Sequence, residues 1–264
     1  MFFSEKTNIE EEQTRMKAVI MAGGKGTRLQ PLTNRMPKPM VPLLERPCME
    51  YIVDLLKRHG ITDIAVTLQY LPDVIKQHFG DGSAHGVRLH YFEEHTPLGT
   101  AGSVKNASDF LDETFLVISG DALTDFDLTN AIRFHREREA LGTMVLTEVD
   151  DPTRFGVVTT DEFGRIVRFQ EKPSRDEVFS HTVNTGIYVL EPEILTFFEQ
   201  GQEYDFSKQL FPQVLEQGLP LYGCVGEGYW SDIGTPDQYR ETQVDMIYGR
   251  VQVQVETNLV ARTG

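Results

Sequence analysis

The chain reads as an α/β fold, Rossmann-like, with a mostly parallel central sheet, helices on both faces and an inserted antiparallel β region. Three observations predict it. Short apolar runs of strand character alternate with segments of helical period through the first half. Glycines, cations and carboxylates stand directly after those runs, where open α/β sheets bind ligands. In the second half, strand-like runs follow one another across short polar connections with no helix between them.

Taken in order, Ala18 to Met21, Ile64 to Leu68, Phe115 to Ile118 and Met144 to Leu146 are read as buried strands, and Val87 to Phe92 as a further one. Met49, Ile52, Val53 and Leu56 recur at i, i+3, i+4 and i+7, with Pro47 near the start and Gly60 past the end, so this segment is an amphipathic helix. Leu71 to Phe79, Leu128 to Ala140, Phe206 to Glu216 and Pro236 to Tyr248 are further helical candidates. Phe155 to Thr160, Ile166 to Glu171 and Val183 to Leu190 make the antiparallel insertion, the first two joined across Asp161-Glu162-Phe163-Gly164. Val251 to Val255 alternates strictly, as an edge strand or a tail within residues 250–264 would. Residues 1–15 are polar and largely charged and are read as a mobile acidic leader, leaving 16–249 as one domain.

The 264 residues carry a net charge of −15, which argues against a nucleic-acid partner, because backbone phosphates are bound by a surplus of Lys and Arg. A small anionic ligand stays open. Hydrophobic residues at 40% and charged residues at 25% describe a folded globular chain. No apolar run reaches the roughly 18 residues that span a bilayer, so no membrane partner is expected. Cys48 and Cys224, two thiols far apart, suit a reducing compartment, and a cytoplasmic location is expected. The seven histidines, His59, His78, His85, His90, His95, His135 and His181, lack metal-ligand spacing and read as surface or loop residues.

The most informative stretch follows the first strand: Gly23-Gly24-Lys25-Gly26-Thr27-Arg28-Leu29, then Pro37-Lys38-Pro39. Glycines let backbone N–H groups approach an anion closely, and the interleaved cations neutralise it. A dinucleotide fingerprint would need glycine at Leu29, and a Walker loop would need Ser or Thr after Lys25, where Gly26 stands. A surface turn would account for the glycines but has no need of Arg28 and Lys38. Ser119-Gly120-Asp121 closes the strand Phe115 to Ile118 and puts a carboxylate where a hard cation such as Mg²⁺ is held, although such a pair is often only a turn. Phe169-Gln170-Glu171-Lys172-Pro173, Val183-Asn184-Thr185-Gly186 and Trp230-Ser231-Asp232 complete the set. Capping of the last helix falls to Thr235 and Pro236, which leaves Asp232 for another role.

Together these five segments resemble the sugar-nucleotide pyrophosphorylases, over residues 16–249. Leu98-Gly99-Thr100-Ala101-Gly102 and the run from Phe206 to Pro212 are most similar to the mannose-1-phosphate guanylyltransferases. The resemblance implies a condensation of a nucleoside triphosphate with a sugar 1-phosphate. It places Gly23, Gly24, Gly26, Thr27, Gly99 and Thr100 on the nucleotide, Arg28, Lys38 and Lys172 on the reacting and sugar phosphates, Glu171, Asn184 and Gly186 on the sugar, and Asp121 and Asp232 on Mg²⁺. Glu94, just past Val87 to Phe92, is expected to read the base: a carboxylate accepts the paired N1–H and N2–H₂ of guanine, where pyrimidine-specific relatives tend to carry Gln. One more solvated acid among 40 is the plain alternative for Glu94. A uridylyl- or thymidylyltransferase, or a silent nucleotide-sugar-binding subunit, stays open, as does a homo-oligomer.

Overall fold

The computed structural model describes residues 16–253; the expected leader and the end of the C-terminal segment lie outside them. In chain order the strands are β1 (Lys17–Met21), β2 (Pro42–Leu43), β3 (Arg46–Pro47), β4 (Asp63–Leu68), β5 (Arg88–Glu93), β6 (Phe115–Ser119), β7 (Ala122–Thr124), β8 (Gly142–Glu148), β9 (Gly156–Thr160), β10 (Ile166–Glu171), β11 (Thr182–Leu190), β12 (Leu221–Val225) and β13 (Trp230–Asp232). The helices are α1 (Cys48–Arg58), α2 (Pro72–Phe79), α3 (Gly99–Lys105), α4 (Leu128–Glu137), α5 (Phe211–Glu216) and α6 (Pro236–Ile247).

The main sheet runs β10-β9-β11-β6-β1-β4-β5, with β8 and β12 continuing from β11. Its β6-β1-β4-β5 half is parallel, Val19 facing Val117 on one side and Ala65 on the other. Strand β11 runs antiparallel against β6, β8 and β9. This is the expected mostly parallel sheet with its antiparallel insertion.

The side-chain alternation of β1 explains why the run is apolar throughout. Ala18 and Ile20 join Ile64, Val66, Leu116 and Ile118 in one core layer, beneath α1 and α4. Val19 joins Ala65, Phe115 and Val117 in the opposite layer, with Val104 of α3 and Phe211 of α5. Successive residues point to opposite faces, and a strand covered on both must be apolar at every position.

Several elements depart from the sequence reading. Helix α3 was not foreseen: two glycines in seven residues argue against a helix, but a Cβ on Gly102 would stand 2.5 Å from the Gln202 carbonyl, so packing selects the small residue there. The expected helix Phe206 to Glu216 begins as a wider turn over Phe206–Leu210 before α5, because Pro212 has no N–H to donate and Asp205 takes the Ser207 and Lys208 N–H groups. Helix α4 stops at Glu137, short of Ala140. Residues 251–253 carry no strand, and Val251 is instead buried in the core. Among the histidines, His135 is 1% exposed, not a surface or loop residue: Nδ1 pairs with Thr143 Oγ1 at 2.9 Å and Nε2 with Glu191 Oε1 at 3.0 Å. Its spacing on α4 turns it toward β8.

Strands β7 and β13, also unforeseen, pair antiparallel with Asp232 opposite Ala122. That ribbon brings Asp232 to the segment just beyond β6, where Asp121 precedes β7.

Candidate active site

Two adjoining cavities open at the carboxyl ends of the parallel strands. One, of 330 Å³, is walled by Gly23, Gly24, Gln69, Glu94 and Gly99. The other, of 390 Å³, is walled by Arg28, Lys38, Glu171, Lys172, Asn184, Gly186 and Asp232. Thr100, Ser119 and Asp121 belong to both, so they mark the junction.

The loop after β1 is shaped by Gly26, whose φ of +61° is costly for a residue with a Cβ. A Cβ there would also lie 2.9 Å from Lys38 Cβ and from Thr33 Cγ2. The Thr33 hydroxyl donates to the Gly26 carbonyl at 2.7 Å, and the buried Leu29 anchors the turn that exposes Arg28. Gly26 and Thr27 therefore stand outside the cavity walls, and Gly26 acts by seating Lys38.

Lys38, between Pro37 and Pro39, is only 7% exposed. Its Nζ lies 2.6 Å from Asp121 Oδ2 and 2.9 Å from Asp232 Oδ1. Burial opposes the charge, yet the two carboxylates more than offset that and hold the Lys38 pKa above the usual lysine value. The same geometry tests the residues against Mg²⁺. Two carboxylates converge on one point that a cation already occupies, and Mg²⁺ is commonly held by one or two carboxylates with substrate phosphates completing the shell. No cluster of three His, Cys, Asp or Glu side chains suited to a metal occurs among the described residues. The pair fits a metal shared with a phosphate ligand.

On the other side, Asn184 is held from both ends: Nδ2 donates to Tyr188 Oη at 2.9 Å and Oδ1 accepts from the Gly186 N–H at 2.9 Å. Gly186 has φ +79°, and a Cβ on it would stand 2.7 Å from Ser119 Oγ, so only glycine lets β11 pass the junction. Lys172 Nζ pairs with Glu171 Oε1 at 3.0 Å. The Lys172 backbone sits at φ +45°, uncommon for a residue with a side chain, and its N–H donates to the Phe155 carbonyl. Glu94 Oε2 accepts from the Leu98 N–H at 3.2 Å, and burial raises the Glu94 pKa against the opposing bonds from Ser103 and Leu98. Thr100 donates to Asp205 Oδ2 at 3.1 Å and accepts from the Phe206 N–H.

Thus the structure gathers all the expected site residues except Gly26 and Thr27 around the two cavities. Sequence reasoning missed Arg154, which lines the larger of them from a single turn after Asp151-Pro152. An isolated Arg after an Asp-Pro turn carries no readable signal. The arrangement can bind a polyphosphate beside a second phosphorylated ligand, with cations at the meeting point; the buried Cys48 lines neither cavity, and burial pushes its thiol up, keeping it protonated.

A mostly parallel sheet whose strand ends carry a glycine-walled cavity, a cation-lined cavity and a carboxylate pair between them suits a class of protein that handles phosphorylated ligands. The chain belongs to the nucleotidyl transferase family, whose model matches residues 17–247. It is 42% identical to the UTP–glucose-1-phosphate uridylyltransferase of Synechocystis over 85% of this chain and 61% of that relative. It is 38% identical to the mannose-1-phosphate guanylyltransferase of Mycobacterium tuberculosis, over 88% of this chain and 65% of that one. The chain thus spans less than two thirds of either relative's length. In structure it is similar to a provisionally named glucose-1-phosphate thymidylyltransferase from Bacillus anthracis, crystallised with a sucrose: the TM-score is 0.80 and the identity 26%, over 92% of this chain and 98% of that one. No helix among the described residues is long and apolar enough to cross a membrane.

Proposed function

We propose that the protein joins a sugar 1-phosphate to a nucleoside triphosphate, releasing pyrophosphate, with GTP and mannose 1-phosphate as the pair the site suits best. The observation that carries the reaction class is the convergence of Lys38, Asp121 and Asp232 where the two cavities meet. A phosphate oxygen of the sugar 1-phosphate attacks the α-phosphorus, a P–O bond forms, and the bond to the bridging oxygen breaks as pyrophosphate leaves. Two polyanions must approach, so positioning and charge neutralisation dominate. Gly23, Gly24, Gly99 and Thr100 receive the nucleotide, Lys38 and Arg28 take charge on its reacting phosphates, and Lys172 binds the sugar phosphate. Glu171, Asn184 and Gly186 meet the sugar hydroxyls. Mg²⁺ on Asp121 and Asp232 would supply neutralisation of triphosphate oxygens.

Guanine is favoured by Glu94, whose Oε1 is 3.7 Å from a Cβ built on Gly23 and so stands at the cavity wall as an acceptor. A uridylyl reading is favoured by Gln69, an amide in the same wall, and by the 42% identity to the Synechocystis uridylyltransferase. Pyrophosphate release measured over a grid of nucleoside triphosphates and sugar 1-phosphates decides between them. Release with GTP and mannose 1-phosphate above all other pairs is expected. Fastest release with UTP or dTTP and glucose 1-phosphate would replace that pair, and no release with any pair would point to a silent binding subunit.

A further inference from the structure

We infer that Lys38 is the resident counter-ion of the Asp121–Asp232 pair, keeping a divalent cation out of the free protein and admitting one when a polyphosphate draws its ammonium away. The inference rests on the proposed reading only for the polyphosphate.

Lys38 Nζ lies within 2.9 Å of Asp121 Oδ2 and Asp232 Oδ1, so a divalent cation bound between those two oxygens would compete with the ammonium for the same gap. An ammonium and a dication a few ångströms apart repel strongly in a partly buried setting. One of them must leave. The lysine stem cannot move far: Pro37 and Pro39 flank it, the Met40 and Val41 N–H groups close onto the Pro37 and Lys38 carbonyls, and Gly26 packs against its Cβ. Only the end of the side chain is free to swing, and it borders the 390 Å³ cavity that Arg28 and Lys172 also line. An anion entering that cavity offers the ammonium a new partner and leaves two carboxylates with no cation between them. Nucleotide and metal therefore load together, and the acids stay neutralised until they do.

The test titrates Mn²⁺ into the protein, following free metal by electron paramagnetic resonance and bound metal by water-proton relaxation. Wild type is expected to bind Mn²⁺ weakly alone, with no further loss in Asp232→Asn, and to bind it firmly once inorganic tripolyphosphate is present. Lys38→Met, which keeps the stem and removes the charge, is expected to bind Mn²⁺ alone at least about tenfold more tightly than wild type. The double variant with Asp232→Asn is expected to lose that gain. Equal affinities in wild type and Lys38→Met would overturn the inference. If Lys38→Met does not fold, the wild-type arm still decides: firm binding without tripolyphosphate that Asp232→Asn abolishes would overturn it too. These titrations need no turnover, so their failure leaves the activity standing, and a failed substrate grid leaves them standing.

Discussion

Lys38 Nζ touches both Asp121 Oδ2, at 2.6 Å, and Asp232 Oδ1, at 2.9 Å, and so joins the end of β6 to β13 at the back of the cleft. One ammonium between two carboxylates leaves a net negative charge, as a site for a shared metal requires. Asp121→Asn and Asp232→Asn each remove one charge and leave Lys38 a remaining carboxylate, so both variants should fold. Their turnover should fall by about 100-fold or more, and EDTA should abolish wild-type turnover. Pyrophosphate release together with circular dichroism checks this; full activity in EDTA would remove the metal from the reaction.

In the proposed reaction Glu94 sets the base. Glu94→Gln replaces an acceptor with an amide and should lower kcat/KM for GTP while raising it relatively for UTP. A lost partner in a desolvated base site costs about 1 to 3 kcal/mol, so the GTP to UTP ratio should shift tenfold or more. An unchanged ratio would take Glu94 out of base recognition.

In the proposed reaction Arg28 and Lys172 divide two tasks. Lys172 lies beside Glu171 on the sugar side, so Lys172→Ala should chiefly raise KM for the sugar 1-phosphate. Arg28 is exposed at the cavity mouth, and Arg28→Ala should chiefly lower kcat, because its partner charge grows in the transition state. Steady-state kinetics separates the two; equal effects on both parameters in both variants would cancel the division.

Gly26→Ala should destabilise the protein and Gly24→Ala should not. Gly26 has φ +61°, and a Cβ on it would lie 2.9 Å from Lys38 Cβ and from Thr33 Cγ2, while a Cβ on Gly24 would meet nothing within 4 Å. A side chain forced into that region costs about 1 to 3 kcal/mol. Urea midpoints of the two variants measure it, and equal midpoints would mean that the loop relaxes freely.

Glu191 gives the fold an acid limit. Its Oε1 accepts from Thr114 Oγ1 at 2.7 Å and faces His135 Nε2, and these bonds, the His135 one foremost, hold its carboxyl below the usual glutamate range. A depressed folded pKa contributes stability that is fully present above the unfolded value of about 4.3 and is lost as pH falls through the folded one. Glu191→Gln should therefore be less stable than wild type at neutral pH, with the gap closing below about pH 4. A gap that does not change with pH would assign Glu191 a packing role alone.

How far the sequence could be read follows from the range of the interactions involved. The strands and α1 were legible because their signals are local: Ala18 to Met21 must be apolar at every position to sit between two layers, and Met49, Ile52, Val53 and Leu56 repeat at the period of one helix face. The cap of α6 was legible for the same reason, Thr235 accepting from the Gln238 N–H with Pro236 following. The residues to gather at the cleft were also legible by type, since phosphate chemistry needs glycines, cations and carboxylates at strand ends.

What belonged to the tertiary structure alone is where those side chains point and what they touch. The β7–β13 ribbon that sets Asp232 beside Asp121 joins two three-residue strands from distant parts of the chain, too short to carry a period. Helix α3 contradicts its own glycine content and exists because only small residues clear the Gln202 and Tyr204 backbone. His135 reads as a solvated side chain until β8 and Glu191 close over it. The sequence by itself determined the family and the types of residue that line the cleft; folding decided that Lys38 lies between its two acids, because that contact depends on long-range pairing, which leaves no local pattern in the chain.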